Sequence, residues 1–106
     1  MPLTLCVLLS GMPGNEQLLV EYEDRVLDRL ATYGARIVQR VRATDPKSAP
    51  FEVHILEFPS EDALSRYMED PLRRSLSDLR ERAIAHTDIL RVDIVTPGED
   101  QAPARQ

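Results

Sequence analysis

Phe51-Glu52-Val53-His54-Ile55-Leu56-Glu57-Phe58-Pro59-Ser60-Glu61-Asp62 reads as a strand, a stop and a helix start. Aromatic and β-branched residues through Phe51–Phe58 favour extended backbone. Pro59 brings no amide to a ladder and sets φ, so pairing ends there. Ser60 is a helix cap, and Glu61 and Asp62 place acids in a first turn, where the helix dipole is positive.

Working outward, the same rules divide the chain into six segments. Leu3–Leu9 is an almost wholly apolar first strand, ended by Gly11, Pro13 and Gly14. Asn15 is the expected cap of a first helix, in which Leu18, Leu19, Tyr22, Val26, Leu30 and Tyr33 recur at helical spacing before Gly34 stops it. Arg36–Ala43 is the second strand, joined to the third by a polar loop punctuated by Pro46 and Pro50. Beyond Ser60 the pattern predicts a helix over Glu61–Met68 and a kink at the cap pair Asp70-Pro71. A longer helix over Pro71–Ala85 and a last strand over Asp88–Val95 follow.

Strand, helix, strand, strand, helix, strand is the split β-α-β order. It predicts an α+β, ferredoxin-like βαββαβ sandwich with an antiparallel four-stranded sheet, ordered fourth, first, third, second. The two segments this order places centrally are the more apolar. The outer two carry Arg36, Arg40, Arg42, Asp88, Arg91 and Asp93, as edge strands should. Helices on one face leave the other uncovered, and Leu8, Leu56 and Phe58 are expected to make that open face apolar. The expected partner is therefore a second copy of the chain, the two closing into a dimeric α/β barrel.

Composition narrows the function classes. The 106 residues are 42% hydrophobic with net charge −5, which argues against a basic nucleic-acid footprint. The absence of tryptophan and the 5% aromatic content argue against a base-stacking platform. No apolar run approaches a membrane span. Leu3–Leu9 is too short for a signal core and has no basic segment before it, so a cytoplasmic location is expected. One cysteine, Cys6, and two separated histidines, His54 and His86, give no metal-ligand pattern, and neither metal nor cofactor is expected. Residues 1–96 are expected to form one domain, and 97–106 a disordered polar tail.

The run Ile55–Ala63, with Tyr67, Asp70-Pro71 and Arg80-Glu81-Arg82-Ala83, resembles an uncharacterised bacterial domain-of-unknown-function family. That family lies in the dimeric α/β-barrel, ferredoxin-like superfamily, which also holds the cofactor-free antibiotic-biosynthesis monooxygenases. The match covers about a third of the chain. It implies a homodimer with sheets face to face and a pocket between sheet and helices in each subunit.

Strand alternation sorts the candidate residues. With Val53, Ile55, Ile37, Val41, Leu90 and Val92 assigned to the helices, the open face receives His54, Arg40, Arg42, Arg91, Asp93 and Cys6. His54, among apolar neighbours, is the candidate general base. Arg40 on the adjacent strand is the candidate anion holder. Tyr22 and Tyr67 are candidate substrate contacts on the helical stripes. Cys6 is expected to be an inert small hydrophobe. Two functions follow: a small-molecule-binding module without catalysis, or a cofactor-free monooxygenase or isomerase acting on a small aromatic or organic acid.

Overall fold

The computed structural model describes residues 1–97. The elements are β1 Leu3–Gly11, α1 Glu16–Leu27, a 3-10 turn Leu30–Tyr33, β2 Arg36–Arg42, β3 Glu52–Phe58, α2 Glu61–Met68, α3 Pro71–Ser75, α4 Ser77–Ala83 and β4 Ile84–Val92. The sheet is antiparallel and ordered β2-β3-β1-β4, so the ferredoxin-like reading is correct. No helix among the described residues is long and apolar enough to cross a membrane. The tail expectation falls, beyond Pro97, outside the described residues.

The turn chemistry acts as read at three points. Ser60 Oγ accepts from the Ala63 amide at 3.0 Å and starts α2. Asp70 accepts from the Leu72 and Arg73 amides and starts α3, with Pro71 in its first turn. Gly34, at φ 74°, closes the 3-10 turn in the left-handed region. Asn15 departs from expectation: its side chain caps nothing and instead donates to the Arg82 carbonyl at 2.8 Å, tying the start of α1 to the end of α4.

Three boundaries also differ. The first apolar stripe is not one helix, because α1 ends at Leu27 and the chain resumes as a 3-10 turn that buries Leu30. The expected Pro71–Ala85 helix breaks at Leu76 into α3 and α4. The last strand begins at Ile84, not Asp88. Ala83 and Ile84 are both buried in one apolar cluster, and beyond a bulge in β4 at Ala85, Ile84 pairs directly with Gly11.

The larger correction concerns which face is which. Residues directly opposite across a ladder share a face. Leu5 pairs with Leu56, Val7 with His54 and Leu9 with Glu52, so His54, Leu56 and Phe58 point at the helices, not away from them. Phe58 is fully buried and Leu56 nearly so. Val53 and Ile55 take the open face beside Leu8 and Cys6. Leu90 pairs with Cys6 and joins them, whereas Arg91 pairs with Leu5 and reaches Glu61 on α2. In β2 a bulge at Val38 changes the alternation. Ile37 still shares the helix face with Leu56, but past the bulge Arg40 and Arg42 turn inward opposite His54 and Glu52, and Val41 turns out opposite Val53. β1 and β3 are apolar on both faces, so hydrophobicity alone could not choose between them.

The open face therefore carries Cys6, Leu8, Val53, Ile55, Val41 and Leu90. Val41 and Leu90 are 47% and 53% exposed, an apolar surface of a different membership from the one expected.

Candidate functional site

The interior is not one continuous apolar core. One cluster gathers Leu5, Leu30, Leu56, Phe58 and Tyr67, and a second gathers Leu9, Leu19, Tyr22, Val26 and Ile84. Val7 packs against both, and opposite it lies His54. The seam between the clusters is thus polar. His54 is 1% exposed, Glu52 on the same face 0%, and Glu23, projecting from α1, 6%.

Burying carboxylates costs several kcal/mol each unless they are paired, so the partners matter. Glu52 has them in full. Arg42 Nε donates to its Oε2 at 2.6 Å, and Arg40 donates from Nε to Oε1 at 2.9 Å and from a terminal nitrogen to Oε2 at 3.2 Å. A further Arg40 nitrogen donates to Asp24 on α1 at 2.7 Å, locking β2 to the helix layer. The His54 Nε2 to Glu52 Oε1 separation is 2.7 Å. Burial alone would raise the Glu52 carboxyl, but the hydrogen bonds from His54, Arg40 and Arg42 outweigh it and hold it at about 2.

A carboxylate can only accept, so the His54 proton sits on Nε2 and Nδ1 is left as the basic nitrogen. Nδ1 lies 3.8 Å from Glu23 Oε1, too far for a direct hydrogen bond. Burial pushes the Glu23 carboxyl up, and the neighbouring Arg73 guanidinium counters this only in part. Glu52, His54 and Glu23 therefore form a series: an oriented imidazole, a fixed carboxylate behind it, and an acid with a raised pKa in front.

His54 and Glu23 line a cavity between sheet and helices of about 70 Å³. That is several times the ~10–15 Å³ a single water needs. Tyr22 and Tyr67 form part of its wall, and the half-buried Arg73 and exposed Arg80 line it from the α3–α4 side. Tyr67 donates its hydroxyl to the Val26 carbonyl at 2.9 Å, and burial pushes it up to about 12. Burial also raises Tyr22. The Arg73 guanidinium lies 4.6 Å above the Tyr67 ring centre, a cation–π contact that fixes its position.

The residues singled out from sequence are thus divided. His54, Tyr22 and Tyr67 meet at the cavity. Arg40 stands opposite His54 as its strand partner but does not line the cavity, its donors being taken by Glu52 and Asp24. Cys6 is on the other side of the sheet, and Arg91 is held by Glu61. Sequence reasoning did not select Glu52, Glu23, Arg73 or Arg80. Two of these left a signal. Glu52 is two residues from His54 on one strand face, and Glu23 interrupts the Leu19–Leu27 row, whose members at every fourth position are otherwise apolar. Among the described residues no group of three or more His, Cys, Asp or Glu side chains is placed to hold a metal ion.

No family model matches the chain. No curated protein matches it either. Solved structures do. A protein of unknown function from Rhodopseudomonas palustris is 17% identical, with 91% of this chain and 84% of that one covered and a TM-score of 0.72. A dimeric protein of unknown function and ferredoxin-like fold from Bacteroides fragilis NCTC 9343 is 10% identical, covering 88% and 96%, with a TM-score of 0.65. SnoaB, a cofactor-independent oxygenase from Streptomyces nogalater, is 12% identical, covering 91% and 97%, with a TM-score of 0.66. At these identities the likeness is one of fold.

Proposed function

We propose that residues 1–96 form one domain of a homodimeric small-molecule-binding module whose cavity transfers protons, with His54 as the general base. The carrying observation is the Glu52–His54–Glu23 series on the cavity wall. A purely structural role accounts for Glu52, which Arg40 and Arg42 neutralise. It does not account for an imidazole whose basic nitrogen is turned toward a second buried acid beside open volume.

The chemistry suited to such a base is removal of a proton from carbon next to a carbonyl. The C–H proton passes to Nδ1, and the bonding pair becomes the enolate double bond. Glu52 stabilises the imidazolium through Nε2–H. Where the substrate carries a further conjugated double bond, the enolate is a dienolate, and return of the proton to its far carbon with a shift of that double bond completes an isomerisation. A cofactor-free oxygenation begins with the same step and then needs dioxygen as co-reactant, and the fold shared with the Streptomyces nogalater oxygenase supports this as the second reading. The cavity volume supports a substrate of a few non-hydrogen atoms over a polycyclic one.

The dimer is supported by the apolar open face around Cys6, Leu8, Ile55 and Leu90 and by the dimeric Bacteroides fragilis neighbour. On the motif in residues 51–85 we also assign the chain to the bacterial family of unknown function that it resembles.

Proton NMR in D₂O tests the base directly. With acetone and pyruvate as probes, the wild type is expected to exchange methyl protons for deuterium at least about tenfold faster than buffer, within the range expected of general-base catalysis. His54→Gln returns the rate to that of buffer while the folded dimer persists. Binding without accelerated exchange in the wild type refutes the base and leaves a binding module, and oxygen uptake separates oxygenation from isomerisation.

A further inference from the structure

We infer that the molecule this cavity takes is a small carboxylate, its anionic group held by Arg73 and Arg80 and not by Arg40. The inference rests on the reading that this cavity is the ligand site, and it adds the ligand's charge and the groups that read it.

The arginines of this fold divide by what they hold. Arg29, Arg40, Arg42 and Arg91 each grip a carboxylate. Among the described residues Arg73 and Arg80 form no ion pair, yet both line the cavity. Arg73 Nε is buried and has no hydrogen-bond partner, a donor withdrawn from water with nothing to receive it. Leaving such a donor unmet costs free energy, and an acceptor arriving in the cavity meets it. Its placement is built rather than incidental. Arg29 and Tyr33 hold Asp70, Asp70 accepts from the Arg73 amide at 3.3 Å, and the Tyr67 ring carries the guanidinium.

Arg80 supplies the second cation. It stands beside the Tyr22 hydroxyl on the cavity wall and reaches Thr87 Oγ1 only at 3.5 Å, so its charge has no carboxylate among the described residues. Against these two cations the cavity wall sets one carboxyl, Glu23, whose burial favours its neutral form. The site is thus electropositive at its α3–α4 side and basic at His54. A carboxylate between the two guanidiniums uses the planar donor geometry that arginine offers. About 70 Å³ of open volume fits an acid of two to four carbons, such as a 2-oxo acid.

The test compares pyruvate with its uncharged counterpart pyruvamide, titrated at fixed ionic strength and followed by amide chemical shifts. The wild type is expected to bind pyruvate at least about tenfold more tightly than pyruvamide, the scale of one charge-assisted pair. Arg73→Gln and Arg80→Gln are each expected to weaken pyruvate by about tenfold and leave pyruvamide unchanged, and Arg73→Lys to lose less than Arg73→Gln. If Arg73→Gln does not fold, the pyruvate-to-pyruvamide ratio of the wild type and the Arg80→Gln variant decide. Equal binding of the two probes, equal weakening of both, or binding of neither overturns the inference. Preferred pyruvate binding without deuterium exchange supports it while refuting the proton-transfer chemistry, so the two failures are distinct.

Discussion

Replacing Glu52 by glutamine separates the buried ion network from the packing around it. The carboxyl falls from its ordinary 4.5 to about 2 in the folded chain. At about 1.4 kcal/mol per tenfold change in affinity for the proton, that drop corresponds to about 3 kcal/mol of stability. Because the folded value is the depressed one, this stability is fully present above pH 4.5 and is lost as pH falls toward 2. Glu52→Gln keeps the shape but leaves Arg42 without a carboxylate and Arg40 with Asp24 alone, so at pH 7 it is expected to lose about 3 kcal/mol of a total on the order of 5–15 kcal/mol. Urea unfolding of both proteins from pH 7 to pH 2 measures the gap. Asp70 and Glu61, also depressed, titrate in both proteins and cancel in the difference. The gap should shrink by about 3 kcal/mol between pH 5 and pH 2. A gap that stays constant with pH would refute the reasoning, because it would show that the carboxylate's charge contributes nothing net.

Ile55→Asp puts a charge at the middle of the open face, opposite Cys6, and is expected to convert a dimer at micromolar concentration to a monomer in sedimentation velocity; a wild type that is already monomeric removes the interface. Asp70→Ala removes the cap of α3 and the group that Arg29 and Tyr33 hold, and calorimetry is expected to show Tm lower by about 4–8 °C, the equivalent of about 1 kcal/mol in a domain of this size. Gly34→Ala forces φ 74° on a residue whose Cβ would sit 3.3 Å from Pro59 Cγ, whereas at Gly14, φ 83°, nothing lies within 4 Å. Both variants lose about 1–2 kcal/mol to the left-handed conformation, and Gly34→Ala is expected to lose more; equal losses in urea unfolding would show that Pro59 gives way freely.

The topology was legible because the punctuation carries it. Pro59 with Ser60, Asp70 with Pro71, and Gly34 each stop or start an element for a local reason that the chain states on its own. Facing was not legible, since it is a tertiary property. Val53 and Ile55 are as apolar as Leu56 and Phe58, and the polar seam occupies the side that a hydrophobic rule reserves for the core. The strand pairing of His54 with Arg40 depended on a register that no single segment specifies, and the inward turn of Arg40 depended on the bulge. Arg73 and Arg80 come over the cavity through the break at Leu76 and the start of β4 at Ile84, two boundaries that the helical spacing of Pro71–Ala85 does not show.

The extra residue at Val38 gives β2 one place where its length can change without loss of register. Deleting it would leave Ile37 opposite Leu56 and Arg40 opposite His54 in plain alternation, whereas deleting Val41 would put Arg42 out of step with Glu52. That cation would then emerge on the surface that carries Val53 and Ile55, and Glu52 would keep Arg40 alone. One codon removed past the bulge would thus damage the interior and the exterior together, while the polar stretch from Thr44 to Ala49 next to it pairs with no strand and is free to lengthen. Tolerance to insertion and deletion along this chain should change abruptly between Arg42 and Thr44.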